Sequence, residues 1–136
     1  MNWKIKSAIF VVLLLLSVCE LEAQVYKYQT YCFSYKTKSD YGVWSNWSKW
    51  EESDMLVVIN LDKERFTIYS TEIQEYDIYE YEGDEDDRYG GETASFKCVD
   101  SHGLRCGVRL RTQADGQLQL YIDYNDMRWV YGIVRS

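Results

Sequence analysis

The chain has 136 residues and a formal net charge of −7 at pH 7, with 13 tyrosines, five tryptophans and no proline. An acidic chain repels phosphate backbones, so the composition argues against nucleic acid as a partner. The aromatic content excludes a disordered protein, because disordered segments are poor in aromatic residues. A chain of this length leaves room for one domain with a single core.

The N-terminus has the pattern of a secretory signal peptide. Lys4 and Lys6 precede an apolar run over residues 8–18, and the small residue Ala23 precedes Gln24. The apolar run is too short to span a bilayer comfortably, so it predicts an export signal that is cut between Ala23 and Gln24. We therefore expect a secreted or periplasmic protein without a transmembrane segment in the mature chain.

A lipid anchor on Cys19 is the alternative interpretation of this N-terminus. Residues 16–19 resemble a bacterial lipobox, although Val18 stands where that motif has Gly, Ala or Ser. On the preferred interpretation, residues 1–23 are the signal peptide and residues 24–136 form a single β domain.

The mature chain alternates apolar and polar residues over short runs, which is the period of half-buried strands. Turn signals at 101–103, 114–116 and 125–126 set hairpin registers that agree with one another. These registers place apolar partners on one buried face: Phe96 with Val108, Leu110 with Leu120, and Ile122 with Trp129. The fold class predicted is all-β, about eight antiparallel strands in a meander, forming a small up-and-down barrel or a curled sheet. A two-sheet sandwich is the alternative.

Three cysteines follow the predicted signal peptide. The register puts Cys98 opposite Cys106, which predicts a disulfide in an oxidising compartment, and the odd Cys32 is left over. A zinc site is disfavoured, because there is no C-x-x-C and His102 is the single histidine.

Residues 83–91, GDEDDRYGG, are predicted to be an acidic loop. Its acids include Asp84, Asp86 and Asp87, which make a weak calcium candidate. The acids are contiguous, whereas calcium loops interleave their ligands, so a solvated hairpin loop is favoured. We expect no cofactor.

The stretch Asp100-Ser101-His102 contains the residue types of a hydrolase triad. The three residues are adjacent in a predicted turn, where neighbouring side chains diverge, so the sequence favours a polar turn with Gly103 at positive φ. We expect a protein that is not an enzyme and has no catalytic residues. A small hydrolase that uses two carboxylates is the least favoured hypothesis.

The tryptophan-rich stretch GVWSNWSKW covers residues 42–50. It contains the WSXWS pattern of cytokine-receptor modules and is similar to the tryptophan ladder of thrombospondin type 1 repeats. Neither family fits, since no β-sandwich precedes Trp44 and the repeats need six cysteines. We expect an irregular edge strand or crossover, with Trp47 buried as a plug of the barrel and Trp44 and Trp50 partly exposed.

Exposed aromatic side chains on a sheet can bind sugars or peptides. The candidate binding residues are Trp44, Trp50, Tyr79, Tyr81 and Tyr121. The preferred hypothesis is a non-enzymatic domain that binds an unidentified protein, glycan or small apolar ligand through these aromatics. A lipocalin-like carrier with a small apolar ligand inside the barrel is the second hypothesis.

A broader similarity covers most of the mature chain. The elements that carry it are a signal ending in AQ, a WSxW stretch and the segments VVINLDKERFTIYS, YDI, CVDSHGLRC, LQLYIDY and WVYGI. In this order they resemble small secreted β-proteins of gut-type anaerobic bacteria that have no assigned function. The resemblance implies a secreted bacterial single domain and carries over no catalytic residues.

Overall fold

The computed structural model describes residues 24–136. The predicted signal peptide, Ala23 at its cleavage site and the alternative lipid site at Cys19 lie outside the described residues. No helix long and apolar enough to cross a membrane occurs in the described part. The described chain forms nine strands: β1 Val25–Thr37, β2 Glu51–Glu52, β3 Leu56–Asn60, β4 Arg65–Tyr69, β5 Ile73–Asp86, β6 Glu92–Asp100, β7 Arg105–Thr112, β8 Leu118–Asp123 and β9 Met127–Arg135.

The strands close into a barrel. All pairs are antiparallel, the order is β2-β1-β3-β4-β5-β6-β7-β8-β9, and β9 returns to pair with β1. The two-residue β2 lies outside the closure, so the barrel itself has eight strands. The predicted all-β antiparallel barrel is confirmed.

The predicted registers of the last four strands are confirmed. Phe96 pairs with Val108, and Cys98 pairs with Cys106. Leu110 pairs with Leu120 across the next hairpin. Ile122 then pairs with Trp129. The turns that set these registers place Gly103 at φ 81° and Gly116 at φ 87°, a region that glycine enters without steric cost.

The barrel interior is filled by its own side chains. Phe66, Phe96 and Leu120 are each at most 1% exposed, and the two phenylalanine rings meet edge to face at 5.3 Å between centroids. Tyr81 joins this core, with its ring 5.3 Å from that of Phe96. The prediction that Tyr81 lies on the outer side is therefore wrong. The reason is a bulge, because β5 gains one unpaired residue between Ile78 and Glu80, which inverts the faces beyond it.

The predicted acidic loop at 83–91 is strand in its first part, residues 83–86. β5 continues to Asp86 and pairs with β6 up to Glu92, so the connecting loop covers only residues 87–91. The pairing of β4 with β5 ends at Asp77, and the acids from Asp84 to Asp86 are exposed beyond that point. Charged side chains on an exposed strand edge oppose edge-to-edge association.

The tryptophan-rich stretch runs back along the free edge of β1. The backbone N–H groups of Ser45 and Ser48 donate to the carbonyls of Thr37 and Tyr35 at 2.8 and 2.7 Å. An irregular edge segment is what the sequence predicts here. The plug prediction is wrong, since Trp47 is 40% exposed. The backbone bonds hold its segment outside the barrel, whose interior is already full.

Candidate functional site

Strands β1, β7, β8 and β9 carry a row of charged and aromatic side chains on their outer face. Because successive residues of a strand point to opposite sides, Tyr121 and Asp123 point outward and alternate with the buried Leu120 and Ile122. The register places Arg109 beside Tyr121 and Arg128 beside Asp123. On the other side of β9, Arg128 pairs with Lys36 of β1. The three cations therefore lie on neighbouring strands around Tyr121 and Asp123.

The tryptophan-rich segment folds over this row. The Lys36 ammonium lies 5.4 Å from the centroid of the Trp44 ring and 4.8 Å from that of Trp47. The Trp47 ring in turn meets Tyr121 edge to face, at 6.1 Å and 69°. Tyr121 also contacts Arg109, whose guanidinium lies 4.2 Å from the centroid of the Tyr121 ring.

A carboxylate links the arginines of the row. Arg109 donates from Nε and Nη2 to the two oxygens of Asp123 at 2.5 and 3.0 Å. Arg128 Nε lies 3.7 Å from Asp123 Oδ1, and its guanidinium lies 4.6 Å from the Trp44 centroid. The pairwise contacts therefore form a closed ring of residues. We call this set the cation–aromatic cluster: Lys36, Trp44, Trp47, Arg109, Tyr121, Asp123 and Arg128.

The cluster is positively charged on a protein whose net charge is −7. Asp123 is the acid within it, against the cations of Lys36, Arg109 and Arg128, and Lys38 adds another cation 5.6 Å from the Trp44 ring. Lys36 and Lys38 form no ion pair with a carboxylate in the described part of the chain. The arrangement leaves positive charge that an anionic group could use.

The candidate binding residues separate into those that join the cluster and those that do not. Trp44 and Tyr121 join it. Trp50 is 53% exposed and makes no aromatic or cation contact within the described chain. Tyr79 lies elsewhere, with the Arg105 guanidinium 5.5 Å from its centroid. Tyr81 belongs to the core, as described above.

Sequence reasoning missed Trp47 and the cations as members of this site. One signal was present, because the correct hairpin registers already placed Arg109 outward and opposite Tyr121. No sequence pattern indicated the path of the tryptophan-rich segment, since its apolar residues follow neither the strand period nor the helix period.

The Asp100-Ser101-His102 stretch is a turn, as the sequence favoured. Asp100 Oδ1 accepts the backbone N–H groups of His102 and Leu104, each at 2.9 Å, and Oδ2 accepts the Tyr124 hydroxyl at 2.6 Å. Burial alone would raise the pKa of Asp100, but these hydrogen bonds outweigh it and lower the pKa. Its oxygens hold the turn together and do not orient a histidine.

The weak calcium candidate gains no support from the positions of its acids. No group of three or more potential metal ligands occurs within residues 24–136. Asp84 and Asp86 lie along β5, whereas Asp87 accepts the N–H of Gly91 at 2.9 Å and pairs with Arg111 at 2.9 Å. The hydrogen bond from Gly91, and then the one from Arg111, lower the pKa of Asp87. Its oxygens are already used within the chain.

The predicted disulfide is not formed, since Cys98, Cys106 and Cys32 are free thiols. Cys98 and Cys106 are directly opposed in the ladder. The Cβ atoms of such pairs lie about 4.5–5.5 Å apart, wider than the roughly 3.8 Å of a disulfide, so bridging needs local movement. Burial raises the pKa of Cys106 to about 11, which disfavours its thiolate.

Comparisons with family models, with curated proteins and with solved structures found no match to this chain.

Proposed function

We propose that the protein is a non-enzymatic binding domain, secreted or periplasmic, that holds an anionic partner on the cation–aromatic cluster. The observation that carries the proposal is the position of Trp47. Its ring is 40% exposed and is fixed against Lys36 and Tyr121. An exposed aromatic side chain that is already ordered loses little conformational entropy when it binds.

Charge supports an anionic partner. An acidic protein has a net repulsion for other anions, whereas cations outnumber acids within the cluster. Arg109 and Arg128 share the single carboxylate of Asp123. Guanidinium groups bind carboxylates in a planar, two-point geometry, so the arginines favour partners that carry such groups.

The aromatic rings favour a glycan within the anionic class. Tryptophan and tyrosine rings offer flat apolar faces with a polar edge, on which sugar rings can stack. A polymer of uronic acids presents a ring face and a carboxylate in each residue. It therefore matches both the rings and the cations of the cluster.

The non-enzymatic part of the proposal rests on the titratable groups. Asp87 and Asp100 both have a lowered pKa, which suits a structural carboxylate and not a general acid. His102, the single histidine, lies in the exposed turn after Asp100. The carboxylate hydrolase hypothesis gains no support from these groups.

The test is calorimetric titration of polygalacturonate into the wild-type protein and two tryptophan variants. We expect Trp47→Ala to weaken binding by about tenfold, the loss of one aromatic contact. Trp50→Ala is the matched control, because Trp50 is more exposed but makes no contact with the cluster. Added salt should weaken wild-type binding, since exposed charges are screened.

Two further ligands separate the contribution of charge from that of the sugar ring. The methyl-esterified polymer keeps the sugar rings and loses the charge, so it should bind more weakly than the acid form. Tighter binding of polyglutamate than of polygalacturonate would assign the face to acidic peptides. Equal affinities of the Trp47→Ala and Trp50→Ala variants for polygalacturonate, or no binding to either acidic polymer, would contradict the proposal.

A further inference from the structure

A pocket of about 610 Å³ lies at the end of the barrel where β8 begins and β9 ends. We call it the β8–β9 pocket, and its lining includes Tyr28, Leu118, Ile133, Arg135 and the turn residues 115–117. Small-molecule sites usually measure about 300–1,000 Å³. The pocket therefore has the size of a ligand site, and it lies apart from the cation–aromatic cluster.

The inner wall of the β8–β9 pocket is apolar. Tyr28, Leu118 and Ile133 come from the inward faces of β1, β8 and β9, and they are 0%, 8% and 1% exposed. Burying the apolar part of a ligand against such a wall contributes roughly 25 cal/mol per Å² removed from water. The lipocalin-like hypothesis of a ligand deep in the barrel is disfavoured, since the interior is packed, and the β8–β9 pocket lies outside that interior at this end of the barrel.

The wall also holds a polar atom that lacks a partner. The Tyr28 hydroxyl is buried and meets no hydrogen-bond partner at acceptable geometry within residues 24–136. Burial raises the pKa of Tyr28, and the charge of the nearby Arg135, with a smaller hydrogen-bond contribution from its guanidinium, opposes the rise. Arg135 can only donate, so the hydroxyl proton of Tyr28 has no acceptor, and a ligand acceptor would recover the free energy that this costs.

Arg135 supplies a cation beside this hydroxyl. Its guanidinium lies 5.5 Å from the centroid of Tyr26 and 5.7 Å from that of Tyr28. No ion pair of Arg135 with a carboxylate occurs in the described part of the chain. Asp115 also lines the pocket, but its Oδ1 accepts the Gln117 N–H at 3.0 Å and its charge disfavours a second anionic group on a ligand.

We propose that the β8–β9 pocket binds a small amphipathic monocarboxylate. Its apolar body packs against Leu118 and Ile133. Its carboxylate accepts hydrogen bonds from Arg135 and from the Tyr28 hydroxyl. This binding is independent of the anionic partner on the outer face.

Calorimetry with decanoate tests the inference on the protein expressed from the full 136-residue sequence. Arg135→Met and Tyr28→Phe should each weaken decanoate binding by about tenfold, because each removes one hydrogen bond to a charged group. Decanol, which keeps the chain and lacks the charge, should bind the wild type more weakly by a similar factor. Arg105→Met is the control, since Arg105 also lies over a tyrosine ring but outside the pocket.

Tyr28→Phe separates a ligand role from a structural one. It preserves the ring and removes a buried hydroxyl whose proton has no acceptor, so thermal stability without ligand should be unchanged or higher. Full decanoate affinity in Tyr28→Phe and Arg135→Met, equal binding of decanol, or no saturable binding by the wild type would overturn the inference. A wild-type dimer that Arg135→Met dissociates would assign the pocket to a second copy and would also overturn it.

Discussion

The two faces of strands β7–β9 are built from alternating residues of the same strands, yet different interactions hold them. Inside, Leu120 and Ile122 are 0% exposed and pack in a closed core. Outside, Tyr121 and Asp123 are held by cations and by rings that a separate segment supplies. Core packing is stabilised by apolar burial, whereas each outer contact contributes about 1 kcal/mol or less. The inner face therefore supplies most of the stability, and the outer face is where we propose that a partner binds.

The largest expected effect comes from emptying the inner face. Phe96→Ala removes a ring that is 1% exposed and contacts both Phe66 and Tyr81. It should lower the free energy of unfolding by about 3–5 kcal/mol, the range for a core phenylalanine. Urea unfolding followed by circular dichroism measures it. A loss below about 1 kcal/mol would mean that the interior is less tightly packed than described.

An intermediate effect is expected at the rim, where Asp100 joins the turn to Tyr124, a partly buried residue that packs against the core. Asp100→Asn weakens hydrogen bonds to a charged acceptor and should cost about 1–2 kcal/mol at neutral pH. The folded-state pKa of Asp100 lies below its unfolded value of about 3.9. The wild-type carboxylate therefore stabilises the fold above that pH, and this stabilisation is lost as the pH falls through the folded-state pKa.

Urea unfolding of the wild type and Asp100→Asn across a pH series checks this second prediction. The difference between the two proteins should shrink as the solution becomes acidic. A difference that stays constant through the acidic range would show that the carboxylate charge does not contribute.

The smallest expected effect on stability comes from the outer face. Trp47→Ala should cost about 1 kcal/mol, because it removes one edge-to-face pair and one cation contact from a partly exposed ring. Trp50→Ala should change the free energy of unfolding by less, since that ring contacts no other ring or cation in the part of the chain described. A Trp47→Ala loss as large as that of Phe96→Ala would make Trp47 a core residue and remove the distinction between the faces.

The same contrast explains what the sequence could predict. Glycine turns and period-two alternation are local signals, and they were sufficient for the registers from Phe96 to Ile133. The bulge at Tyr79 is a one-residue event in β5, and missing it inverted the expected face of Tyr81. Predicting the cluster would have required the path of residues 38–50. Backbone hydrogen bonds to β1 determine that path, and no periodic pattern in the sequence indicates it.

The prediction of a secreted or periplasmic protein and the resemblance to small secreted bacterial β-proteins stay predictions. They depend on residues 1–23 and on segment patterns, and the barrel geometry does not bear on them.

The most direct test of the outer face as a binding site is a chemical-shift map of the protein during titration with polygalacturonate oligomers. The largest shifts should fall on Lys36, Trp47, Arg109 and their neighbours in β8. Tyr79 and Arg105, a tyrosine and arginine pair on another part of the barrel, should not shift. Shifts of equal size at both places, or shifts centred away from Trp47, would contradict the account.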